Sequence, residues 1–168
     1  METTLQGEAR LWTLADGRTV AIVPMAADDG ARLVYFHEGL SMLTTYRRFF
    51  CVHPELSDAE VHHLTHVDHR NRDALVAVAE DEIVGVARLE RLADPATAEV
   101  AFVVADPWQG VGLGTLLFER LAARARQLGI TAFTAETLPG NEPMLAVFRR
   151  AGGLLRIADG VIAVTIAV

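Results

Sequence analysis

The sequence contains no lysine, and all fifteen of its basic residues are arginine. A Walker-type phosphate loop needs a lysine directly after its last glycine, so this class of nucleotide site is excluded. Cysteine occurs once, as Cys51, which excludes an internal disulfide and a cysteine metal site. No apolar run approaches the roughly 18 residues of a membrane span, and the opening METTLQGEAR lacks the basic start and apolar core of a signal peptide. We therefore expect a soluble, cytoplasmic protein without a membrane partner.

The charge balance is acidic, with a formal net charge of -7 at pH 7. This balance disfavours nonspecific nucleic-acid binding and suits a cationic substrate or partner. A chain of 168 residues with 51% hydrophobic content is long enough for one domain, which at this length buries roughly 70% of its unfolded surface. The sequence shows neither an internal repeat nor a Pro/Ser-rich linker. We predict an N-terminal extension over 1–19 and a single domain over 20–168.

Apolar periodicity and capping residues predict the order of the elements. Predicted strands cover 20–25, 74–80, 83–90, 98–105, 131–136, 154–158 and 161–168, and predicted helices cover 31–40, 44–50, 57–66, 113–129 and 141–152. A carboxylate of Asp28 or Asp29 is expected to cap the first helix, and Ser57 and Glu60 have the spacing of a capping box. The first hairpin is expected to turn at Asp81-Glu82. Antiparallel strands ahead of a β-loop-α-β unit predict an α/β (α+β) fold, with a mixed sheet flanked by helices.

Three glycines at alternate positions in DPWQGVGLG, residues 106–114, lie between a predicted strand and a predicted helix. A dinucleotide fingerprint would need glycine at position 115, where Thr115 stands, and an early parallel βαβ unit. The remaining pattern is Gln109-x-x-Gly112-x-Gly114. Glycines permit unusual φ angles and close approach, while successive N–H groups and the helix dipole hold an anion. The stretch therefore predicts a pyrophosphate site.

This strand-loop-helix pattern resembles the signature of the GNAT superfamily of N-acetyltransferases, which bind the pyrophosphate of acetyl-coenzyme A there. A second element of that family is present: Asn141 opens the next helix, Phe148 follows seven residues later, and Ala151-Gly152 ends the helix. The segments RRFF, LSDAEVHHLTHVD, ALVAVAEDEIVGVAR and AEVAFVVAD are similar to the catalytic domain of bacterial protein lysine acetyltransferases of the Pat group. The resemblance implies a mostly antiparallel sheet with a splayed central pair of parallel strands.

The resemblance also implies a site for acetyl-CoA, which would be the acetyl donor. The backbone of Phe102, Val103 and Val104 would bond the pantetheine arm and the thioester, and Asn141 would bond the arm as well. The pyrophosphate would lie in a cradle formed by Gln109, Gly110, Val111, Gly112, Leu113, Gly114 and Thr115.

Two glutamates are candidates for the general base that removes a proton from the attacking amine. Glu99 is the first because it interrupts the apolar strand AEVAFVVA, where a carboxylate is costly unless it is satisfied or used. The resemblance places the catalytic glutamate at the same position. Alternation along the strand could instead point Glu99 to solvent or into a structural hydrogen bond. Glu136, at the end of the next strand, is the second candidate, and its alternative role is a hydrogen bond that orients the following loop. Phe148 stands where many family members carry tyrosine, so no general acid is assigned.

Three further features keep more than one interpretation. His62, His66 and His69 would share a helical face suited to zinc only if the helix continued, so we predict solvated or capping histidines and no metal site. A substrate-facing or pH-sensitive role is the alternative for these histidines. The arginines of YRRFF at 46–50 would either contact an acidic acceptor surface or lie exposed on a helix. Trp108 would either shield the coenzyme or cover the core.

These observations favour an acetyl-CoA-dependent N-acetyltransferase that acts on a protein lysine, for example of an acyl-CoA synthetase, by general-base-assisted direct attack. The first alternative is acetylation of a small cationic amine such as an aminoglycoside, a polyamine or an amino-acid derivative. The second is a non-catalytic module that senses acyl-CoA. No nucleic-acid partner is expected, and a homodimer is left open.

Overall fold

A computed structural model describes residues 10–168 of the chain. Its strands are β1 (Leu11–Thr13), β2 (Thr19–Pro24), β3 (Arg72–Ala79), β4 (Glu82–Arg91), β5 (Thr97–Val104), β6 (Ala132–Thr137), β7 (Leu154–Ala158) and β8 (Val161–Ala167). Its α-helices are α1 (Gly30–Glu38), α2 (Met42–Phe49), α3 (Asp58–Thr65), α4 (Leu113–Gln127) and α5 (Glu142–Arg150). A short 3-10 helix, Asp106–Trp108, follows β5.

The strands form one mixed sheet in the order β1-β2-β3-β4-β5-β6-β8-β7. Every neighbouring pair in it is antiparallel except β5 and β6, which run parallel. The parallel pair is short, because Thr97–Glu99 of β5 pair with Ala132–Thr134 of β6 and the strands separate beyond that point. The α/β class, the mixed sheet and the splayed parallel pair predicted from the sequence are therefore confirmed.

Each face of the sheet is covered by different helices. On one face, apolar side chains of α4 and α5 such as Leu117, Leu121 and Phe148 pack with Phe133 of β6 in the larger buried cluster. On the other face, α1 contributes Leu33 and Phe36 to a smaller cluster. Since side chains alternate along a strand, each residue of β5 contributes to one of these faces only.

Several predicted boundaries and caps are confirmed. The capping box of α3 is complete, because the Ser57 hydroxyl accepts from the Glu60 N–H and the Glu60 carboxylate accepts from the Ser57 N–H. Gly129 has a φ of 77° and follows the last turn of α4. Asp159 and Gly160, both at positive φ, make the β7–β8 turn.

Three details differ from the sequence-based predictions. The sheet begins at β1, within the stretch predicted as an extension over 1–19, and residues 1–9 of that stretch lie outside the described residues. Asp29 precedes α1, but its carboxylate accepts from the Ala26 N–H and from the Arg32 guanidinium, and from none of the backbone N–H groups of α1. The β3–β4 turn is made by Glu80 and Asp81, one residue earlier than expected, since both adopt positive φ.

Within residues 10–168, no helix has the length and apolar character needed to cross a membrane.

Candidate active site

The separation of β5 from β6 opens a cleft of about 560 Å³. β5 supplies one wall, and the loop after it and the start of α4 supply the floor, while α5 and α2 close the sides. Of the predicted coenzyme-binding residues, those lining the cleft are Phe102, Val103, Val104, Gln109, Gly110, Val111, Gly112, Gly114, Thr115 and Asn141. The side chain of Leu113 is instead buried in the core, so only its backbone is available to a ligand.

The glycine loop has the backbone geometry that an anion site requires. Gly110 and Gly112 have φ angles of 76° and 91°, which side chains other than glycine adopt at a cost. Gly112 is also the N-cap of α4, whose first N–H groups have no partner within the helix. A Cβ atom built on Gly112 would meet no protein atom within 4 Å, so its position is open space at the cleft. A pyrophosphate fits this cradle because glycine leaves the space free and the helix N-terminus presents donors.

Gln109 and Asp106 connect the loop to α2. The Gln109 side-chain amide donates to the Val104 carbonyl at 2.9 Å and to the Thr44 hydroxyl at 3.1 Å. The Asp106 carboxylate accepts from the Ser41 hydroxyl at 2.6 Å, from the Ser41 N–H at 2.9 Å and from the Thr44 hydroxyl at 2.9 Å. Burial acts to raise the pKa of Asp106, but these hydrogen bonds outweigh it, and the pKa lies below its ordinary value.

The opposite side of the cleft is formed by the start of α5. Asn141 caps this helix, and its side-chain oxygen accepts from the Met144 N–H at 3.4 Å. The neighbouring Gly140 carbonyl accepts from the Arg47 guanidinium at 3.2 Å, so α2 and the β6–α5 loop are bridged over the cleft. Arg47 and Arg48 both line the cleft. Both side chains are half-buried, so the interpretation that they lie exposed on a helix does not describe them.

The two candidate bases lie on the same sheet face but in different surroundings. Glu99 is the last residue of β5 paired with β6 and lies opposite Glu90 of β4. Glu99 is exposed at a second cavity, of about 160 Å³, which Arg48 also lines, so its carboxylate does not carry the cost of burial expected from the apolar strand. Glu136 pairs with Ala163 near the end of β6 and lines neither the cleft nor this cavity.

The second cavity continues the cleft along β5. Residues 99–101 line the cavity and residues 102–104 line the cleft, while Arg48 lines both. Glu99 therefore lies where the parallel strands separate, in the cavity next to the cleft. Arg88, which was not expected from the sequence, lines the cavity from β4. The signal that could have identified it is its charge between the apolar residues of IVGVARL, the same kind of signal that identified Glu99.

The remaining sequence-derived residues have structural roles. Trp108 does not line the cleft, and the Arg18 guanidinium covers its ring at 3.9 Å. Phe148 is buried below the cleft, with its ring centroid 6.3 Å from that of Phe102. A Cβ on Gly153 would lie 2.8 Å from the Phe148 carbonyl oxygen, so no other side chain has room at this position without a shift of its neighbours.

The histidines are separated by the end of α3. Thr65 is its last residue, His66 follows as the C-cap and stacks on His62 at 3.8 Å, and His69 lies in a turn at a φ of 55°. The His69 ring contacts the buried Asp73 carboxylate at 2.8 Å. Among residues 10–168, no group of three or more potential ligands is arranged to hold a metal ion.

Comparison with known proteins defines the class of protein. The acetyltransferase (GNAT) family matches residues 39–153, and the chain belongs to this family. It is thus an N-acetyltransferase of the GNAT fold. Its structure resembles the GNAT domain of S. lividans PAT with a TM-score of 0.90 and 38% sequence identity, covering 95% of this chain and 96% of that one.

Two curated relatives agree with this assignment. Acetyltransferase PA5475 of Pseudomonas aeruginosa is 29% identical over 144 residues, which is 83% of this chain and 77% of that protein. Acetyltransferase Pat of Mycolicibacterium smegmatis is 32% identical over 134 residues. That alignment takes in 78% of this chain but only 40% of the mycobacterial protein.

Proposed function

We propose that the protein uses acetyl-CoA to acetylate a lysine ε-amine on another protein, with Glu99 as the general base. The observation that carries this proposal is the position of Glu99, at the point where the parallel strands separate and in a cavity that adjoins the cleft. The 38% identity to the GNAT domain of S. lividans PAT supports a protein acceptor, such as an acyl-CoA synthetase.

The surface of α2 also supports a protein acceptor. Met42, Leu43 and Tyr46 are exposed on this helix, while Arg47 and Arg48 of the same helix line the cleft. Apolar and aromatic side chains beside a binding cleft are typical of protein–protein contact. An acceptor protein would cover them when its lysine enters the second cavity.

Acetyl-CoA would supply an acyl thioester that is already activated toward amines. The open cradle at Gly112 and the N-terminus of α4 would hold its pyrophosphate, and the β5 backbone beyond Glu99 is free of β6 and available to the pantetheine arm. Asn141 at the other side of the cleft would contact that arm.

The chain's main chemical task is to remove a proton from the acceptor. With a lysine pKa near 10.4, about one amine in 2,500 is neutral at pH 7, a penalty of roughly 4.6 kcal/mol. Glu99 would take this proton, directly or through water, as the amine nitrogen bonds to the acyl carbon and the carbon–sulfur bond breaks. The sulfur leaves as a thiolate, whose ordinary pKa near 8.5 makes an acid dispensable.

One observation favours the small-amine alternative: the cavity at Glu99 has a volume of only about 160 Å³, which a small amine would fill by itself. A screen of the purified protein with acetyl-CoA against acyl-CoA synthetases and against a panel of small amines separates the two acceptors. Binding of acetyl-CoA without transfer to any member of either set would support the sensor alternative.

Glu99→Gln tests the catalytic step. General-base catalysis is worth about 10²- to 10⁴-fold in rate, so turnover is expected to fall by about this factor. The fall corresponds to an activation barrier that is higher by roughly 3–5 kcal/mol, while the affinity for acetyl-CoA is kept. The deficit is expected to be largest near neutral pH and to shrink as more of the amine loses its proton in solution. Initial rates measured from about pH 6.5 to 9.5, with calorimetry of acetyl-CoA binding, give both quantities.

Glu136→Gln is the matched comparison, since it changes the same group on the same sheet face outside both cavities. Normal turnover in Glu99→Gln combined with a loss in Glu136→Gln would transfer the role to Glu136. A parallel loss of stability and of acetyl-CoA binding in Glu99→Gln, without recovery at high pH, would make Glu99 structural.

A further inference from the structure

We propose that the cavity beside Glu99 is an acceptor subsite that binds a carboxylate through Arg48 and Arg88, so that the enzyme selects amines with a carboxylate close by. This inference rests on the proposed function and adds to it the chemistry that the acceptor must carry. The carboxylate belongs either to an acidic residue next to the target lysine or to a small amine with its own carboxyl group.

Six charged side chains line this cavity of about 160 Å³. Its lining includes the guanidinium groups of Arg48, Arg72 and Arg88 and the carboxylates of Asp73, Glu90 and Glu99. Asp73 is already engaged, because its carboxylate accepts from Arg124 at 2.7 Å and contacts the His69 ring. Among the described residues, neither Glu90 nor Glu99 forms an ion pair.

Arg88, which lines this cavity, has a guanidinium N–H donor group without a partner among residues 10–168. Its Nη1 group donates to the Leu64 carbonyl at 2.7 Å, whereas its Nη2 group is buried and has no hydrogen-bond partner among residues 10–168. A buried donor of a charged group left unpaired is costly, and buried polar groups in proteins are normally satisfied. A carboxylate in the cavity would satisfy it.

The electrostatics of the cavity favour an anion near the arginines. Burial, together with the charges of Arg48 and Arg72, lowers the pKa of Arg88 to about 9. Burial also lowers the pKa of Arg48, and the Glu99 charge only partly opposes this. Arg72 donates to the carbonyls of His63 and His66, so Arg48 and Arg88 remain as the pair suited to bind a carboxylate.

The register of the strands sets the distance between the amine and the carboxylate. Arg88 lies opposite Ala101, and Glu99 precedes Ala101 by two residues on the same face of the sheet. Arg88 and Glu99 are therefore diagonal neighbours on paired strands, whose Cα atoms lie about 7–8 Å apart. An acceptor with its amine at Glu99 and its carboxylate at Arg88 would carry the two groups at a comparable separation, as in a Lys-Glu sequence or a short amino acid.

Paired acceptors that differ only in the carboxylate test this subsite. The first pair is a peptide with Glu or Gln next to its single lysine, and the second pair is 4-aminobutanoate or its amide. The wild-type enzyme is expected to prefer the carboxylate member of at least one pair by about tenfold in kcat/KM, and Arg88→Gln is expected to bring the ratio close to one. Arg156→Gln, an exposed arginine on edge strand β7, is the control and should keep the wild-type ratio.

Binding without turnover separates this inference from the proposed function. The arginine Nε–H signals in ¹⁵N NMR spectra are followed during titration with 4-acetamidobutanoate or its amide. Signals of Arg48 and Arg88 are expected to shift with the carboxylate only, and Arg88→Gln should abolish the shift of Arg48.

The kinetic test identifies the source of the carboxylate. A preference in kcat/KM that is confined to the peptide pair would assign the carboxylate to a protein acceptor, and a preference confined to the 4-aminobutanoate pair would assign it to a small molecule.

The outcomes are distinguishable. If the wild-type enzyme acetylates the carboxylate and neutral members of each pair with equal kcat/KM, and the Arg48 and Arg88 signals do not shift selectively with the carboxylate, the subsite is overturned. The proposed function is unaffected by that result. A carboxylate-selective shift without transfer to any amine would support the subsite and overturn the proposed function. Absence of both transfer and shift would overturn both.

Discussion

Gly112 combines a backbone conformation that favours glycine with open space beside it in the cleft. Its φ of 91° disfavours any side chain, and the space beside it belongs to the cleft. We predict that Gly112→Val weakens acetyl-CoA binding by roughly tenfold or more, because the side chain would occupy the pyrophosphate position. Isothermal titration calorimetry measures this directly.

Gly160→Val is the matched control for this prediction. Gly160 has a φ of 80°, also faces open space, and lies in the β7–β8 turn away from the cleft. Both variants are expected to lose about 1–3 kcal/mol of stability from the backbone conformation. Only Gly112→Val should lose affinity, and equal affinities in the two variants would contradict the placement of the pyrophosphate.

Single residues were predictable from the sequence where they broke a pattern. Glu99 interrupts an apolar strand, and the glycines at 110, 112 and 114 interrupt the passage from strand to helix. Arg88 breaks its strand in the same way, but its meaning depends on Arg48 and Glu99, which reach it from other elements. Sequence spacing does not contain this long-range proximity. The hydrogen bond of Gln109 to Thr44, 65 residues away in the sequence, was hidden for the same reason.

At the scale of elements, the C-terminal part of α4 is attached to β3 by a buried charge cluster. The Asp73 carboxylate is 2% exposed, and Arg124 donates to it at 2.7 Å and to the His69 carbonyl at 2.8 Å. We predict that Arg124→Gln destabilises the protein by about 2–3 kcal/mol, since it leaves a buried carboxylate with one partner fewer. This loss of stability is smaller than for a fully buried ion pair, because water reaches Arg124, which is about one-third exposed.

Urea unfolding at pH 7 measures this loss, and Arg126→Gln is the comparison, because Arg126 is exposed on the same helix. The comparison variant is expected to stay within about 0.5 kcal/mol of wild type. Equal stabilities of the two variants would show that Arg124 contributes only as a surface charge.

The elements that the sequence predicted well were those with strong local signals. The capping box set the start of α3, and the leucine periodicity set α4. β1 was missed because three residues with exposed ends have too little pattern to identify a strand. α3 ends at Thr65, within one residue of the predicted end at His66. The turn that follows and brings His69 to Asp73 was not predictable, because that contact is made by tertiary packing.

At the scale of the whole molecule, the absence of lysine makes the chain a poor substrate for lysine acetylation. After incubation with labelled acetyl-CoA, we predict label on this chain only at its N-terminal amine or at Cys51, which is exposed. Peptide mass spectrometry locates the label, and Cys51→Ser should remove the thioester-linked fraction. Stable label at any other side chain would contradict the prediction.

The whole-molecule architecture was predictable because the order of elements is that of a known fold. The single α/β domain followed from that order, and the splayed parallel pair followed from the resemblance to the family. The contact of the cleft with the second cavity did not, since it arises where α2 lies beside β5.

The hydrogen bonds from Thr44 and Ser41 to the loop after β5 have a consequence for protein engineering. The helix that carries Arg47 and Arg48 is attached at its first turn to the loop that would bind the coenzyme, through Asp106 and Gln109. Replacing α2 as a whole in order to change the acceptor would therefore also change the affinity for the acetyl donor. A chimaera that imports this helix from a relative must keep serine and threonine at these two positions, or it will change how the coenzyme is held.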